Sequence, residues 1–181
     1  MTNTKQKLLE AKYFLGRMIE NKSDRNVFKY NLSAFLAAFR SVTMIMQKEF
    51  NKVPGFTDWY KIQQGKMKTD SKMKLLNTKR TMTIHQQTVQ PLAHVKMNTT
   101  ENIHIGDSMS MILAHADGTI EQRYEPEPPK PASTIAKTET TTQWYWYFNE
   151  ILNIDVVTVC QECMTKLETI VNDFEQQFDL S

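Results

Sequence analysis

Arg80 and His85 close the segment Arg80-Thr81-Met82-Thr83-Ile84-His85, a basic fork at one end and a titratable ring at the other. A guanidinium binds phosphate through a planar set of donors and keeps its charge. An imidazole transfers protons near neutral pH. Together they suit chemistry on a phosphodiester, with Arg80 and His85 as the catalytic candidates. Lys79 stands beside them, and Arg40 lies in an earlier apolar segment. Both are candidate substrate-binding cations for a phosphate backbone. For Arg40 a buried stem with a paired head is the competing reading.

The element that must position the pair is a helix. At about 100° per residue, Met73, Leu76, Arg80 and Ile84 fall within about 80° of one another, and His85 lies about 140° round from Arg80. A charge within an apolar stripe needs a partner or a polar cavity. One helix does not bring both groups to one spot. Either the long arginine bends round, or a second protomer completes a shared site.

The chain of 181 residues carries 40 % apolar residues and only 5 glycines. It is long enough to bury a core without disulfides or metal. Scarce glycine favours long helices over a turn-rich β fold. No stretch reaches the roughly 18–20 apolar residues of a membrane span, and no apolar signal core follows the first residues. With two cysteines, these features fit a soluble protein of a reducing compartment, the cytoplasm. Charge is polarised: residues 1–90 hold 17 Lys and Arg against 6 Asp and Glu, leaving 5 against 14 for residues 91–181. The two halves pack together, in one chain or across a dimer, or the basic half meets an anion such as nucleic acid, or the bias is incidental to solvated faces.

The expected fold is mainly α, an up-and-down helical bundle with a small antiparallel β insertion before the last long helix. Leu8, Ala11, Leu15 and Met18 mark a first helix, about Thr4 to Asn21. Ser23-Asp24 breaks it and offers an N-cap. Phe28, Leu32, Phe35, Phe39, Val42 and Met46 mark a second, central helix. Pro54-Gly55 ends it, Phe56 to Lys68 forms a third, and Asp70 caps a fourth, about Ser71 to Gln87. Residues 1–90 thus make the first part of the bundle. Residues 91–125 read as the β insertion, two or three strands with a hairpin turn at Asp117-Gly118. Residues 126–142, with Pro126, Pro128, Pro129 and Pro131, read as a linker. Residues 143–181 return as C-terminal helices, entered through the aromatic residues 144–148 and continued by Val156, Cys160, Cys163, Leu167, Ile170 and Phe174.

Other motifs read as packing. Cys160-Gln161-Glu162-Cys163 lies on the apolar stripe inside a helix, away from the N-terminal position that activates a thiol. His94, His104 and His115 supply no second ligand pair for zinc. Trp144, Phe148 and Ile151 form a core or dimer face more readily than a base-stacking platform. No GxGxxG, P-loop, GxSxG or HExxH occurs. No metal and no cofactor are expected.

The Arg80-x4-His85 pattern, with Ser33-Ala34-Phe35-Leu36-Ala37-Ala38-Phe39-Arg40-Ser41 in the second helix, resembles the HEPN superfamily (higher eukaryotes and prokaryotes nucleotide-binding). The second segment is similar to a SAFLxAxRS run of prokaryotic HEPN-like proteins. The resemblance covers roughly residues 4–90, with the last helix completing the bundle. It implies a homodimer in which two such helices face each other, with RNA and a cognate antitoxin or operon partner as binding partners, in toxin–antitoxin or phage-defence settings. It further implies metal-independent endoribonuclease activity. His85 would be the general acid/base, or would position the 2′-hydroxyl, and Arg80 would stabilise the phosphorane charge. Thr81 stands where the family often has Asn, Asp or His, and Gln87 where one subgroup has Tyr. Many HEPN proteins lack activity and serve as binding modules, which is the alternative expectation.

Overall fold

Residues 3–50 form a helical hairpin, seen in a computed structural model that describes residues 1–85, 89–100, 110–115, 117–124 and 139–178. Helix α1 is Asn3–Glu20 and α2 is Arg25–Phe50. Thr2 caps α1, its hydroxyl accepting from the Lys5 amide at 3.2 Å. Asp24 caps α2 through the amides of Asn26 and Val27, at 3.0 and 2.9 Å. These side chains satisfy N–H groups that a helix start leaves open. The hairpin is closed at its far end by Glu49. Its carboxylate accepts from the amides of Asn3 and Thr4, at 2.9 and 2.8 Å, and from the Thr4 hydroxyl at 2.7 Å. Helix α1 therefore runs antiparallel to α2.

Pro54-Gly55 turns the chain, and Gly55 takes a left-handed φ of 82° that side chains with a Cβ disfavour. Helix α3 (Phe56–Thr69) follows, then α4 (Ser71–His85), then after the strands α5 (Val156–Gln177). Asp70 caps α4 by accepting from the amides of Lys72 and Met73, both at 3.0 Å.

Two compact units result: residues 1–95 with 144–181, and residues 96–143. In the first, the expected stripes form the core. Leu8, Ala11, Leu15 and Met18 of α1, Phe28, Leu32, Phe35 and Val42 of α2, and Cys160, Cys163 and Leu167 of α5 are buried together. A second apolar cluster joins Met46, Phe50, Phe56, Trp59, Tyr60, Ile170 and Phe174. Burying a side chain of this size contributes about 1.5–3 kcal/mol. Some of the opposite charges of the two halves meet inside this unit. Lys5 meets Glu175 and Lys12 meets Glu168, each at 2.9 Å, while Lys72 pairs with Glu162 and Asp70 with Lys166. The order of these pairs sets α5 antiparallel to α1. Three acids of the last helix thus meet lysines of α1 and α4, and one lysine of it meets Asp70.

The β elements are β1 (Leu92–Thr100), β2 (Ser110–Ala114), β3 (Ile120–Tyr124) and β4 (Glu139–Tyr147). Strands β2 and β3 form an antiparallel hairpin with Ser110 opposite Tyr124 and Ala114 opposite Ile120. The turn falls at Asp117-Gly118 as expected, with Gly118 at φ 90° and the His115 amide bonded to the Thr119 carbonyl at 2.8 Å. Strand β1 pairs with β4.

Strand β4 corrects two expectations. Residues 139–142 belong to a strand rather than to the proline linker, and residues 144–147 are strand rather than the start of the last helix. The physical reason is alternation. Trp146 and Phe148 are buried, while Tyr145 and Tyr147 between and beside them are only partly covered, a period of two. Trp146 stacks on Phe28, with ring centroids 4.3 Å apart. Its indole N–H donates to the Lys22 carbonyl at 2.9 Å, and its amide donates to Asp155 at 2.9 Å. Asp155 in turn caps α5 through the Val157 amide at 2.8 Å. The α5 helix begins only there. The proline segment 126–138 and His104 lie outside the described residues.

Candidate functional site

Helix α4 carries the Arg80/His85 pattern. Asp70 fixes its start, and burial pushes the Asp70 carboxyl up. Hydrogen bonds from Lys166 and from the Met73 and Lys72 amides outweigh that and hold it below its usual range. Met73 and Leu76 enter the core as the helical projection requires. Beyond them the apolar face gives way to cations. Lys79 is 8 % exposed, and its ammonium lies 2.8 Å from a Glu150 carboxylate oxygen and 5.4 Å above the centre of the Phe148 ring. The Lys79 hydrogen bond holds the Glu150 carboxyl below its usual range.

Arg80 is half-buried. Its Nε is buried and has no hydrogen-bond partner. Among the described residues no carboxylate pairs with it. The partner that an arginine on an apolar stripe requires is therefore not supplied by the described residues. His85 ends the helix, and its side chain lies outside the described residues, as does that of Ile84. The backbone places the two positions five residues apart on one helix, so the angular separation of about 140° stands.

Arg40 occupies different surroundings. Its guanidinium donates to the Thr43 hydroxyl at 2.6 Å. Both residues line a cavity of about 400 Å³ walled by α2, α3, α4 and α5. Leu36, Phe39, Met67, Met73, Leu76 and Leu167 give it apolar walls, and Lys68 and Lys74 join Arg40 as its cations. Arg80 is not among the lining residues. Of the four candidates, Arg80 and His85 share a helix, Lys79 is held by a carboxylate, and Arg40 faces a separate cavity. Lys68 and Lys74, on either side of the α3–α4 junction, escaped the sequence reading because their stretch has no motif. Their only signal is density of cations, with Lys61, Lys66, Lys68, Lys72 and Lys74 close together.

The paired cysteine positions behave as core. Cys160 and Cys163 are buried free thiols. Burial pushes the Cys160 thiol well above its usual range and that of Cys163 up to about 12. No thiolate nucleophile or ligand is available from them at neutral pH. Among the described residues no group of three His, Cys, Asp or Glu could hold a metal ion. No helix of the described residues is long and apolar enough to cross a membrane.

The family model described as bacteriophage lambda protein ea47 matches residues 2–137. The matched stretch runs from α1 through β3 and includes all of α4. No curated protein and no solved structure matches the chain.

Proposed function

We propose, for a chain that belongs to the bacteriophage lambda protein ea47 family, an RNA-directed, HEPN-like role in which Arg80 and His85 of two copies act on a phosphodiester without a metal ion. The observation that carries this reading is the Arg80 guanidinium. Its Nε is buried without a partner, while Lys72 and Lys79 of the same helix are engaged by Glu162 and Glu150. A buried donor left unsatisfied costs about 1–3 kcal/mol, which an anionic ligand at that position would recover.

In the proposed step His85 takes the proton of a ribose 2′-hydroxyl. The 2′-oxygen bonds to the adjacent phosphorus, and the bond from phosphorus to the 5′-oxygen breaks. The products are a 2′,3′-cyclic phosphate and a 5′-hydroxyl, whose proton comes from the partner's His85. Arg80 stabilises the charge that builds on the phosphorane oxygens. Two facing α4 helices bring together groups that one helix holds about 140° apart. The reading places the protein in the cytoplasm, as a homodimer acting on RNA and restrained by a cognate antitoxin or operon partner.

The test is cleavage of a single-stranded RNA in excess EDTA by wild type, Arg80→Ala and His85→Ala. Wild type is expected to cleave and both variants to fall by about 10²-fold or more. Cleavage that requires added metal, or that survives both substitutions, refutes the reading.

The pairing of Lys79 with Glu150 favours a second reading. It withdraws the cation beside Arg80 from any substrate, and with Thr81 next to Arg80 it suits a non-catalytic module that binds nucleic acid or protein. RNA retention would then persist in His85→Ala without cleavage in any form. Loss of all binding in that variant counts against this alternative.

A further inference from the structure

The cavity between α2, α3, α4 and α5 has a charge arrangement that its packing does not need. Arg40, Lys68 and Lys74 line it, and among the described residues none of the three has a carboxylate within ion-pair distance. Elsewhere in the same unit Lys5, Lys12, Lys72, Lys79 and Lys166 each meet a carboxylate. Three cations without a carboxylate partner thus share one opening. Lys68 and Lys74 are exposed at its mouth, and Arg40 is half-buried deeper in.

The interior is apolar. Leu36, Leu76 and Leu167 are buried, at 1 %, 1 % and 0 % exposure, with Phe39 and Met67 partly buried beside them. The uncharged polar residues of the lining are Thr43, Tyr60, Gln64 and Asn77. Thr43 accepts from Arg40, and the Tyr60 oxygen accepts from Gln47 Nε2 at 2.9 Å. No acceptor among the described residues takes the Tyr60 hydroxyl proton, so that donor is free for a ligand. A volume near 400 Å³ lies in the range of small-molecule sites, which are mostly apolar with a few fixed polar groups.

The geometry points to a binding site for a small amphipathic organic anion, with an unbranched apolar body among Leu36, Phe39, Met67, Leu76 and Leu167 and one anionic head at Arg40 and the mouth lysines. Charge complementarity selects this occupant. A neutral apolar ligand leaves three cations without a counter-charge, and a bare inorganic anion leaves the apolar walls uncovered. The site is separate from Arg80 and stands whether or not the chain cleaves RNA.

Calorimetric titration of the full chain with decanoate, decan-1-ol and inorganic phosphate tests it. Decanoate is expected to bind at one site per chain, at least tenfold more tightly than decan-1-ol, with phosphate neither binding there nor competing. Arg40→Gln is expected to weaken decanoate about tenfold or more, the loss of one charge-assisted contact. Asn77→Trp, at the exposed rim of α4, is expected to block the mouth and abolish binding. The double variant Lys68→Gln/Lys74→Gln changes only exposed residues and carries the charge test should Arg40→Gln fail to fold; it is expected to weaken decanoate at least threefold. The inference is overturned if wild type does not bind decanoate at millimolar concentration. It is equally overturned if decan-1-ol binds as tightly, or if decanoate binding is unchanged in the folded charge variants or in Asn77→Trp.

Discussion

Replacing Glu150 by glutamine isolates what the Lys79 contact does. The Lys79 side chain is 10 % exposed and that of Glu150 49 % exposed, with 2.8 Å between their charged atoms. Removing one member of a fully buried pair costs about 3–5 kcal/mol, and an exposed pair is worth about 0–1 kcal/mol. This pair is buried at one end only, and half-exposed Glu150 is screened by water. The expected loss is therefore about 1–2 kcal/mol for Glu150→Gln, which leaves the ammonium over Phe148 without its counter-charge. For a chain of this size that lowers Tm by about 2–8 °C. Lys79→Met removes the charge and keeps an apolar stem of similar length, so it is expected to cost less than Glu150→Gln. The double variant is expected to match Lys79→Met alone, since no ammonium then remains to be stranded. Thermal melts at pH 7, in low salt and in about 1 M salt, measure all four proteins. A Glu150→Gln protein as stable as wild type, or Lys79→Met as the worst of the set, refutes the assignment of Lys79 to packing. In that event the lysine returns to the substrate-binding role its position suggested.

Three further outcomes are expected. Trp146→Phe keeps the ring against Phe28 but loses the indole donor to the Lys22 carbonyl, and should cost about 1 kcal/mol or more in urea unfolding; an unchanged midpoint refutes the importance of that bond. Burial pushes the Glu49 carboxyl up, but hydrogen bonds from Thr4 and Asn3 outweigh that and hold it below its usual range. Its contribution to stability is therefore present above its unfolded value and is lost as the pH falls through the lowered one. Glu49→Gln should lie below wild type at neutral pH, with the gap closing in acid, as seen in melts from about pH 7 to 3. Finally, Cys160 and Cys163 should not react with an aromatic disulfide reagent at about pH 8 in the native protein and should both react in denaturant; rapid native labelling would contradict their burial.

The helices were legible because each writes its buried face at a spacing of three and four, and because Asp24 and Asp70 stand where a helix start needs an acceptor. The stripe from Val156 to Phe174 named six of the buried residues of α5 and missed Val157, Val159, Met164 and Val171, which widen it. The aromatic run misled for a definite reason. Trp144, Phe148 and Ile151 fit helical spacing, while Trp144, Trp146 and Phe148 fit a strand equally well. The threonines at 140, 141 and 142, strong strand formers, were the signal for a strand that the linker reading left unused. Arg80 was legible as a charge out of place. The partner of Lys79 was not, because Glu150 lies far along the chain beyond the strands. The cavity was invisible for the same reason: four helices contribute to it, and no one segment contains more than a few of its residues.

The pairing of β1 with β4 has a consequence for how such a chain can diverge. The polypeptide leaves the helical unit near Val95 and returns near Trp144 on strands bonded to each other. For the folding of that unit, everything between counts as one closed loop, and the free energy of closing a loop rises only slowly with its length. The intervening segment can therefore be lengthened, shortened or exchanged at little cost while Trp146, Lys22 and Asp155 keep the point of return fixed. A chain in which that segment is replaced by a short turn should keep the helical core intact, so the insertion can acquire a partner specificity of its own without disturbing α4.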